Sequence, residues 1–172
     1  MSKKCVIITA PGFQDEEVVY PYYRLMEEGH SVEVATKDGA VVYGKYGVPA
    51  RATMATTELK SSNFDCVVLP GGFEAPDRVR LLLEVQEFVR EMDQQKKLVA
   101  AICHGPWIMI SAGICKGRKM TAFWSIEADM RNSGADYQHK VPVVIDNNFI
   151  TSPHYNNNGD FMKAVVSYLN NK

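Results

Sequence analysis

The chain has 172 residues, the size of one domain with room for a large core. Its 19 basic and 20 acidic residues leave a formal charge of −1, which gives no ground for a nucleic-acid or anionic-membrane partner. The apolar run Cys5 to Ala10 is closed by Pro11-Gly12, too soon for a signal-peptide core or a membrane span, and no later run reaches membrane length. The four cysteines are therefore expected as reduced thiols of a cytoplasmic protein rather than as a disulfide set.

In chain order the pattern alternates strand and helix. Cys5–Thr9 reads as a strand, Asp15 to Glu28 as a helix and Ser31–Ala35 as a second strand. Asp38 to Ala52, punctuated by Gly39, Gly44, Gly47 and Pro49, reads as a hairpin excursion. Strand Asp65–Leu69, helix Leu82 to Gln95, strand Leu98–Ala101 and helix His104 to Ala112 follow. A helix from Ile126 to Asn132, strands at Val143–Asp146 and Phe149–Thr151, and a helix from Asp160 to Leu169 complete the chain. Gly29 and Gly113 stand where helix stops belong, and Asn156-Asn157-Asn158-Gly159 is expected to cap the last helix. Nearly continuous apolar strands between amphipathic helices predict an α/β fold with a mostly parallel sheet covered on both faces. No repeat, linker or boundary divides it, so residues 1–172 are expected to form a single domain. Cys5 and Cys66 read as small buried hydrophobes and Cys115 as a turn residue. No C-x-x-C pair or metal-type histidine spacing occurs, so neither a metal nor an organic cofactor is expected.

The most informative run is Leu98-Val99-Ala100-Ala101-Ile102-Cys103-His104-Gly105-Pro106-Trp107. An apolar strand leads into a cysteine flanked by small residues, and a helix follows, which is the strand–turn–helix of a nucleophile elbow. The thiol then lies over the free N–H groups of a helix start, which favour a thiolate. Bringing a thiol from about 8.5 to about 7 takes roughly 2 kcal/mol, whereas a helix terminus supplies about 0.3–1 kcal/mol. A second donor is needed.

Three segments can supply partners, because ligands of open α/β sheets bind beyond the carboxyl ends of the strands. After the first strand come Asp15, Glu16 and Glu17, and acidic residues in a first helical turn simply complement the dipole. Glu17 has a second reading: Pro21 cannot donate to its carbonyl, so the helix kinks or begins there and Glu17 can point inward. A buried, protonated Glu17 would donate a hydrogen bond to the Cys103 sulfur. The second segment, Leu69-Pro70-Gly71-Gly72-Phe73-Glu74-Ala75-Pro76-Asp77, suits either an oxyanion hole or a plain tight turn. The third is Ser152-Pro153-His154-Tyr155-Asn156, whose histidine reads first as a surface or capping residue.

Ala101-Ile102-Cys103-His104-Gly105-Pro106 resembles the elbow of the ThiJ/PfpI superfamily, in particular its PfpI-type intracellular protease/deglycase branch. The similarity continues through Tyr20-Pro21-Tyr22-Tyr23-Arg24-Leu25, Glu27-Glu28-Gly29-His30, Leu69-Pro70-Gly71-Gly72, Ala75-Pro76-Asp77-Arg78-Val79-Arg80, Ile110-Ser111-Ala112-Gly113 and Gly117-Arg118-Lys119. The resemblance implies a flavodoxin-like three-layer sandwich, like that of the class I glutamine amidotransferases, with Cys103 as nucleophile and Glu17 beside it. It implies that Gly72 and the His104 N–H bind an oxyanion, and that His104 pairs with an acid from a neighbouring subunit. Asp77 matches that acid, with Glu74 the alternative because this loop is one residue longer. The protein is then a homo-oligomer with its active site near a subunit interface. Gln14 stands where the branch has glutamate, and Pro153, Tyr155 and Asn157 replace its arginine, proline and aspartate. His154 and Tyr155 are thus candidate pocket residues of this chain's own.

Three activities fit these residues. In the first, Cys103 adds to an α-oxoaldehyde or its adduct, as in a glyoxalase or deglycase, with His104 or Glu17 moving the proton. In the second, an acyl-enzyme hydrolyses peptides, which needs His104 held by Asp77 or Glu74. In the third, an oxidisable thiol serves a stress sensor or chaperone without turnover. Substrates are accordingly a small aldehyde, a glycated adduct or a peptide. A glutamine amidotransferase is disfavoured, since His154-Tyr155-Asn156 lacks the acid of a late His-x-Glu pair.

Overall fold

The computed structural model describes residues 2–171. The elements are β1 (Lys4–Ile8), α1 (Asp15–Glu27), β2 (Ser31–Thr36), β3 (Val42–Tyr43), β4 (Pro49–Ala50), β5 (Met54–Ala55), β6 (Cys66–Leu69), α2 (Glu74–Val79), α3 (Leu83–Gln94), β7 (Leu98–Ile102), α4 (Pro106–Ser111), β8 (Lys119–Met120), α5 (Glu127–Asn132), β9 (Asp136–Tyr137), β10 (Val144–Asp146), β11 (Phe149–Ser152) and α6 (Asn158–Asn170). Seven strands form one sheet in the order β10-β11-β7-β6-β1-β2-β5, parallel except for the β10–β11 edge. Its central strands are apolar on both faces because both faces are covered: β1 from Cys5 onward and all of β6 and β7 are buried. Helix α1 packs on α6, and α2 and α3 pack on α4. This is the α/β sandwich that the strand–helix alternation predicts.

Strand β1 lies between β2 and β6, so the winding direction reverses there and a crevice opens at the carboxyl ends. The loops after β1 and β6 meet at this end, next to the turn that follows β7. The excursion between β2 and β5 is an antiparallel hairpin, β3–β4. It is strapped to the start of α1, where the Asp15 carboxylate accepts the N–H groups of Tyr46 and Val48, both at 2.9 Å.

At the opposite end of β7, Arg118 holds the sheet to α3. Its guanidinium donates to Asp93 at 3.2 Å, to Asn148 Oδ1 and the Asp146 carbonyl at 3.0 Å, and to the Asp146 carboxylate at 3.4 Å. It also lies 3.6 Å above the Phe149 ring. Asn148 Nδ2 donates to Asp93 and to the Lys97 carbonyl, which closes the network.

Several expectations change in detail. The helix expected from Asp15 runs unbroken to Glu27 with Pro21 inside it, so it does not begin at the proline. The helix expected from His104 starts at Pro106, since His104 and Gly105 form the turn and proline suits a first helical position. Residues 74–79, read as loop, are helical, with Pro76 in the first turn where its missing N–H costs nothing. The last helix begins at Asn158, two residues early, and Asn157 gives it no side-chain cap.

Candidate active site

Cys103 sits at the carboxyl end of β7 with φ of 61°, a left-handed conformation that strains a non-glycine residue by about 1–2 kcal/mol. The strand bonds hold it there: its N–H donates to Ser152 and its carbonyl accepts from Phe123, both at 2.9 Å. The turn that follows tolerates only glycine at 105, because an added Cβ would lie 2.1 Å from the Leu69 carbonyl oxygen. The sharp turn leaves the thiol 6 % exposed, at the crevice.

Glu17, on the buried side of α1, is fully buried. Its Oε2 accepts the Gly71 N–H at 2.7 Å, and its carboxyl lies beside the thiol. Its Oε1 has no hydrogen-bond partner among the described residues. Burial pushes the carboxyl up to about 8, against the Gly71 N–H and the thiol contact, which lower it, and with the Glu16 charge, which adds to the rise. Burial also pushes the Cys103 thiol up, as does the Glu17 charge, while the N–H groups of Gly72 and His104 draw it down. The helix-end stabilisation expected of the elbow is thus outweighed by burial in the resting site, and α4 is only six residues long. A neutral Glu17 removes the charge that opposes the thiolate and leaves both backbone donors aimed at sulfur. Gly72 reaches this position with φ of 79°, its Cα packed so that a Cβ would meet the Gln14 nitrogen and the Gly12 oxygen at 2.6 Å.

His104 is the third group. Its Nδ1 lies 3.2 Å from Sγ and its Nε2 lies 3.2 Å from Ser125 Oγ. Burial, with a smaller push from the Lys45 charge, lowers the imidazole to about 4, so it is neutral at neutral pH. With the thiol donating to Nδ1, the ring proton sits on Nε2 and points at Ser125.

The other expected site residues stand further out. Asp77 and Glu74 are exposed on α2 and line a cavity of about 400 Å³ with Phe73, Arg78, Leu81 and Trp107. Trp107 meets the His104 ring edge-on at 5.1 Å, but no carboxylate hydrogen-bonds to His104 among the described residues. Glu74 instead pairs with Arg78 at 3.7 Å. His154 does cap a turn, its Nδ1 accepting the Asn156 N–H at 3.2 Å, and its ring also stacks on Trp124 at 5.6 Å. Tyr155 tilts against it at 4.0 Å.

Sequence reasoning missed Ser125, Phe123 and Trp124, which reach the site from the stretch between β8 and α5, where no spacing marks them. It also missed Lys45, carried on the hairpin, although Gly44 and Gly47 flank it as turn residues would. Asp15, read as a dipole residue, is the group that straps that hairpin down.

Comparison with known proteins gives a consistent picture. The model of the DJ-1/PfpI family matches residues 3–168. Over 166 residues the chain is 42 % identical to "Deglycase PfpI" of Pyrococcus furiosus, covering 96 % of this chain and 99 % of that protein. It is 36 % identical over 153 residues to "Putative cysteine protease YraA" of Bacillus subtilis, covering 88 % and 89 % of the two chains. The crystal structure of Drosophila melanogaster DJ-1beta superposes with a TM-score of 0.93 at 28 % identity, covering 100 % of this chain and 92 % of that one.

Proposed function

The chain belongs to the DJ-1/PfpI family, and from that membership we propose that it is a cysteine-dependent enzyme that detoxifies α-oxoaldehydes or their protein adducts in the cytoplasm, as a glyoxalase or deglycase, without a cofactor. The observation that carries this reading is the buried Glu17 carboxyl in contact with a thiol that two backbone N–H groups also face. Such a site stabilises one negative charge at a time and moves one proton, which is what carbonyl addition needs.

With the shared proton on Glu17, the Cys103 sulfur is the nucleophile. Its lone pair forms the C–S bond to the aldehyde carbon, the carbonyl π pair moves onto oxygen, and that oxygen takes the Glu17 proton to give a hemithioacetal. The aldehyde hydrogen then leaves as a proton and returns to the neighbouring carbon, with His104 or the Glu17 carboxylate as carrier, while the hydroxyl proton of the hemithioacetal passes to the neighbouring carbonyl oxygen. One carbon is oxidised and the other reduced by the same electron pair, leaving a thioester of a 2-hydroxy acid. Water cleaves it, its hydroxyl going to the acyl carbon and its remaining proton to sulfur. Methylglyoxal plus water gives lactic acid, and a protein adduct additionally releases its amine or thiol.

Peptide hydrolysis asks more of His104, which must protonate a poor leaving group. An imidazole pushed down to about 4 and partnered by the Ser125 hydroxyl seldom holds, at neutral pH, the proton that this step must deliver. The acid that would strengthen it is Asp77 or Glu74 of a second copy, docked over the cavity beside Trp107. A homo-oligomer assembled this way belongs to the same proposal.

The test is to follow methylglyoxal loss and lactate formation with wild type and Cys103→Ser. Lactate from the wild type alone is expected. A folded, reduced wild type that makes none would overturn the reading in favour of a peptidase or an oxidation sensor.

A further inference from the structure

The resting site holds one proton too many for its chemistry. Burial keeps the Cys103 thiol protonated at neutral pH, and Glu17, pushed up to about 8, keeps its proton as well. Attack needs a thiolate beside a neutral Glu17, so one proton must leave a crevice in which the thiol is 6 % exposed and Glu17 fully buried. Glu17 offers no way out: its Oε2 is taken by the Gly71 N–H, and its Oε1 has no partner among the described residues. The His104 ring offers one. Its Nδ1 lies 3.2 Å from Sγ, and its Nε2 lies 3.2 Å from the Oγ of Ser125, an exposed residue. Phe123 stacks on the ring at 4.9 Å and Trp107 meets it edge-on at 5.1 Å, so its two nitrogens stay aimed at sulfur and hydroxyl. Ser125 is tied to the elbow, because the Phe123 N–H donates to the Cys103 carbonyl at 2.9 Å and the Ile126 N–H to the Phe123 carbonyl at 3.0 Å. A buried ring near the Lys45 charge resists becoming a cation. A proton therefore enters at one ring nitrogen only as another leaves from the other.

We infer that Ser125 is the outer end of a proton relay, from Sγ through His104 to Ser125 and solvent, that deprotonates Cys103 for attack and reprotonates it after product release. The inference rests on the carbonyl chemistry proposed above and names how that site exchanges its second proton. On the way out the S–H bond breaks as Nδ1–H forms, Nε2–H breaks as a new Oγ–H forms, and the serine's own proton passes to water. Sulfur keeps its electron pair, the ring stays neutral in its other tautomer, and the serine is unchanged. Inward flow after product release restores the thiol and the first tautomer. A hydroxyl suits this post because it accepts and donates at once. Ser125 is a positioning residue, acting through His104 without touching the reacting carbons, and it gives Nε2 a partner from the chain itself.

The test compares Ser125→Thr with Ser125→Val, two variants of one shape that differ in the hydroxyl, in methylglyoxal turnover. Threonine is expected to keep kcat near that of the wild type, and valine to lower it about tenfold with KM unchanged. Imidazole buffer, which reaches the exposed end of the relay, is expected to restore the valine variant and leave the wild type unmoved. Equal kcat in the two variants, or a loss in valine that imidazole does not repair, overturns the relay and leaves the proposed chemistry standing. A second readout needs no aldehyde. Methyl methanethiosulfonate takes the Cys103 thiolate into a mixed disulfide with loss of methanesulfinate, and at saturating reagent the stopped-flow rate is that of proton departure. This plateau is expected to fall about tenfold in Ser125→Val and to recover with imidazole. A wild type that turns over no aldehyde while the variants show this pattern keeps the relay and overturns the chemistry. Equal plateaus overturn the relay whatever the turnover.

Discussion

The two ends of strand β7 bury similar chemistry with opposite outcomes. At its amino end the Arg118 guanidinium meets Asp93, Asp146 and Asn148, and each charge has a partner within hydrogen-bond reach. At its carboxyl end a carboxyl, a thiol and an imidazole share a smaller space without a single opposite charge in contact among them. Glu17 is pushed up, Cys103 is pushed up and His104 is pushed down, and burial is the largest cause in all three. A satisfied network fixes geometry and leaves nothing for a ligand to improve. An unsatisfied one costs stability and keeps free the capacity to bind charge as it develops on a reacting carbonyl.

The contrast breaks most sharply at Cys103, the proposed nucleophile. Cys103→Ala should lower aldehyde turnover by about a thousandfold or more, as loss of a covalent nucleophile does, while its Tm stays within a few degrees. Turnover that survives in a verified Cys103→Ala protein would move the chemistry elsewhere.

Arg118→Met is expected to do the reverse. It strands Asp93 and Asp146 and should destabilise by about 2–3 kcal/mol, less than a fully buried pair because these side chains are about a fifth exposed. Activity per folded molecule should hold. Denaturant titration beside an active-site thiol count separates the two effects, and an unchanged midpoint would show that the network adds no stability.

Glu17→Gln sharpens the comparison, because removing a group from the unsatisfied end should stabilise the protein. Glu17 is raised to about 8 in the folded state, so between its unfolded value near 4.5 and pH 8 the native protein holds a proton that the unfolded chain has lost. Stability therefore falls as pH rises through that window. Glutamine still accepts from Gly71 and donates to sulfur without titrating. At pH 6 the variant should already be more stable by about 2 kcal/mol, with the gap widening towards pH 8, at pH 4.5 nearly equal, and throughout slower in turnover. Parallel stability curves for the two proteins would refute the burial argument.

The smallest effect lies on the acid side. His104 is depressed to about 4, so below pH 6.5 the unfolded chain takes up a proton that the native protein refuses. Stability carried by this group is lost as pH falls from 6.5 towards 4. His104→Gln should flatten that limb by about 1 kcal/mol, visible as a smaller drop in Tm between pH 7 and pH 5.

Much of this arrangement is legible in the chain. The strand before Cys103 and the small residues around it announce the elbow, and Pro21 draws attention to Glu17 even though the helix passes through it. What is not legible is short or distant. Strands β5, β8 and β9 have two residues each, below the length at which alternation can be seen. Helix α2 hides behind two glycines and a proline. The bond from Gly71 to Glu17 spans 54 positions, and only the folded sheet brings the two together. Ser125 is invisible for the same reason: a serine at a turn carries no mark of the histidine it will meet.

The cysteine inventory has a practical consequence. Cys5 and Cys66 are 0 % exposed and Cys115 is 1 % exposed, which leaves Cys103 as the one sulfur at the crevice. The native protein is in effect a single-site label carrier whose other three thiols are a built-in clock. A slow-reacting disulfide reagent should take up one equivalent at a rate set by substrate access, then three more at the rate at which the sheet opens. One colorimetric trace would report occupancy of the site and lifetime of the fold in the same cuvette, with no engineered probe.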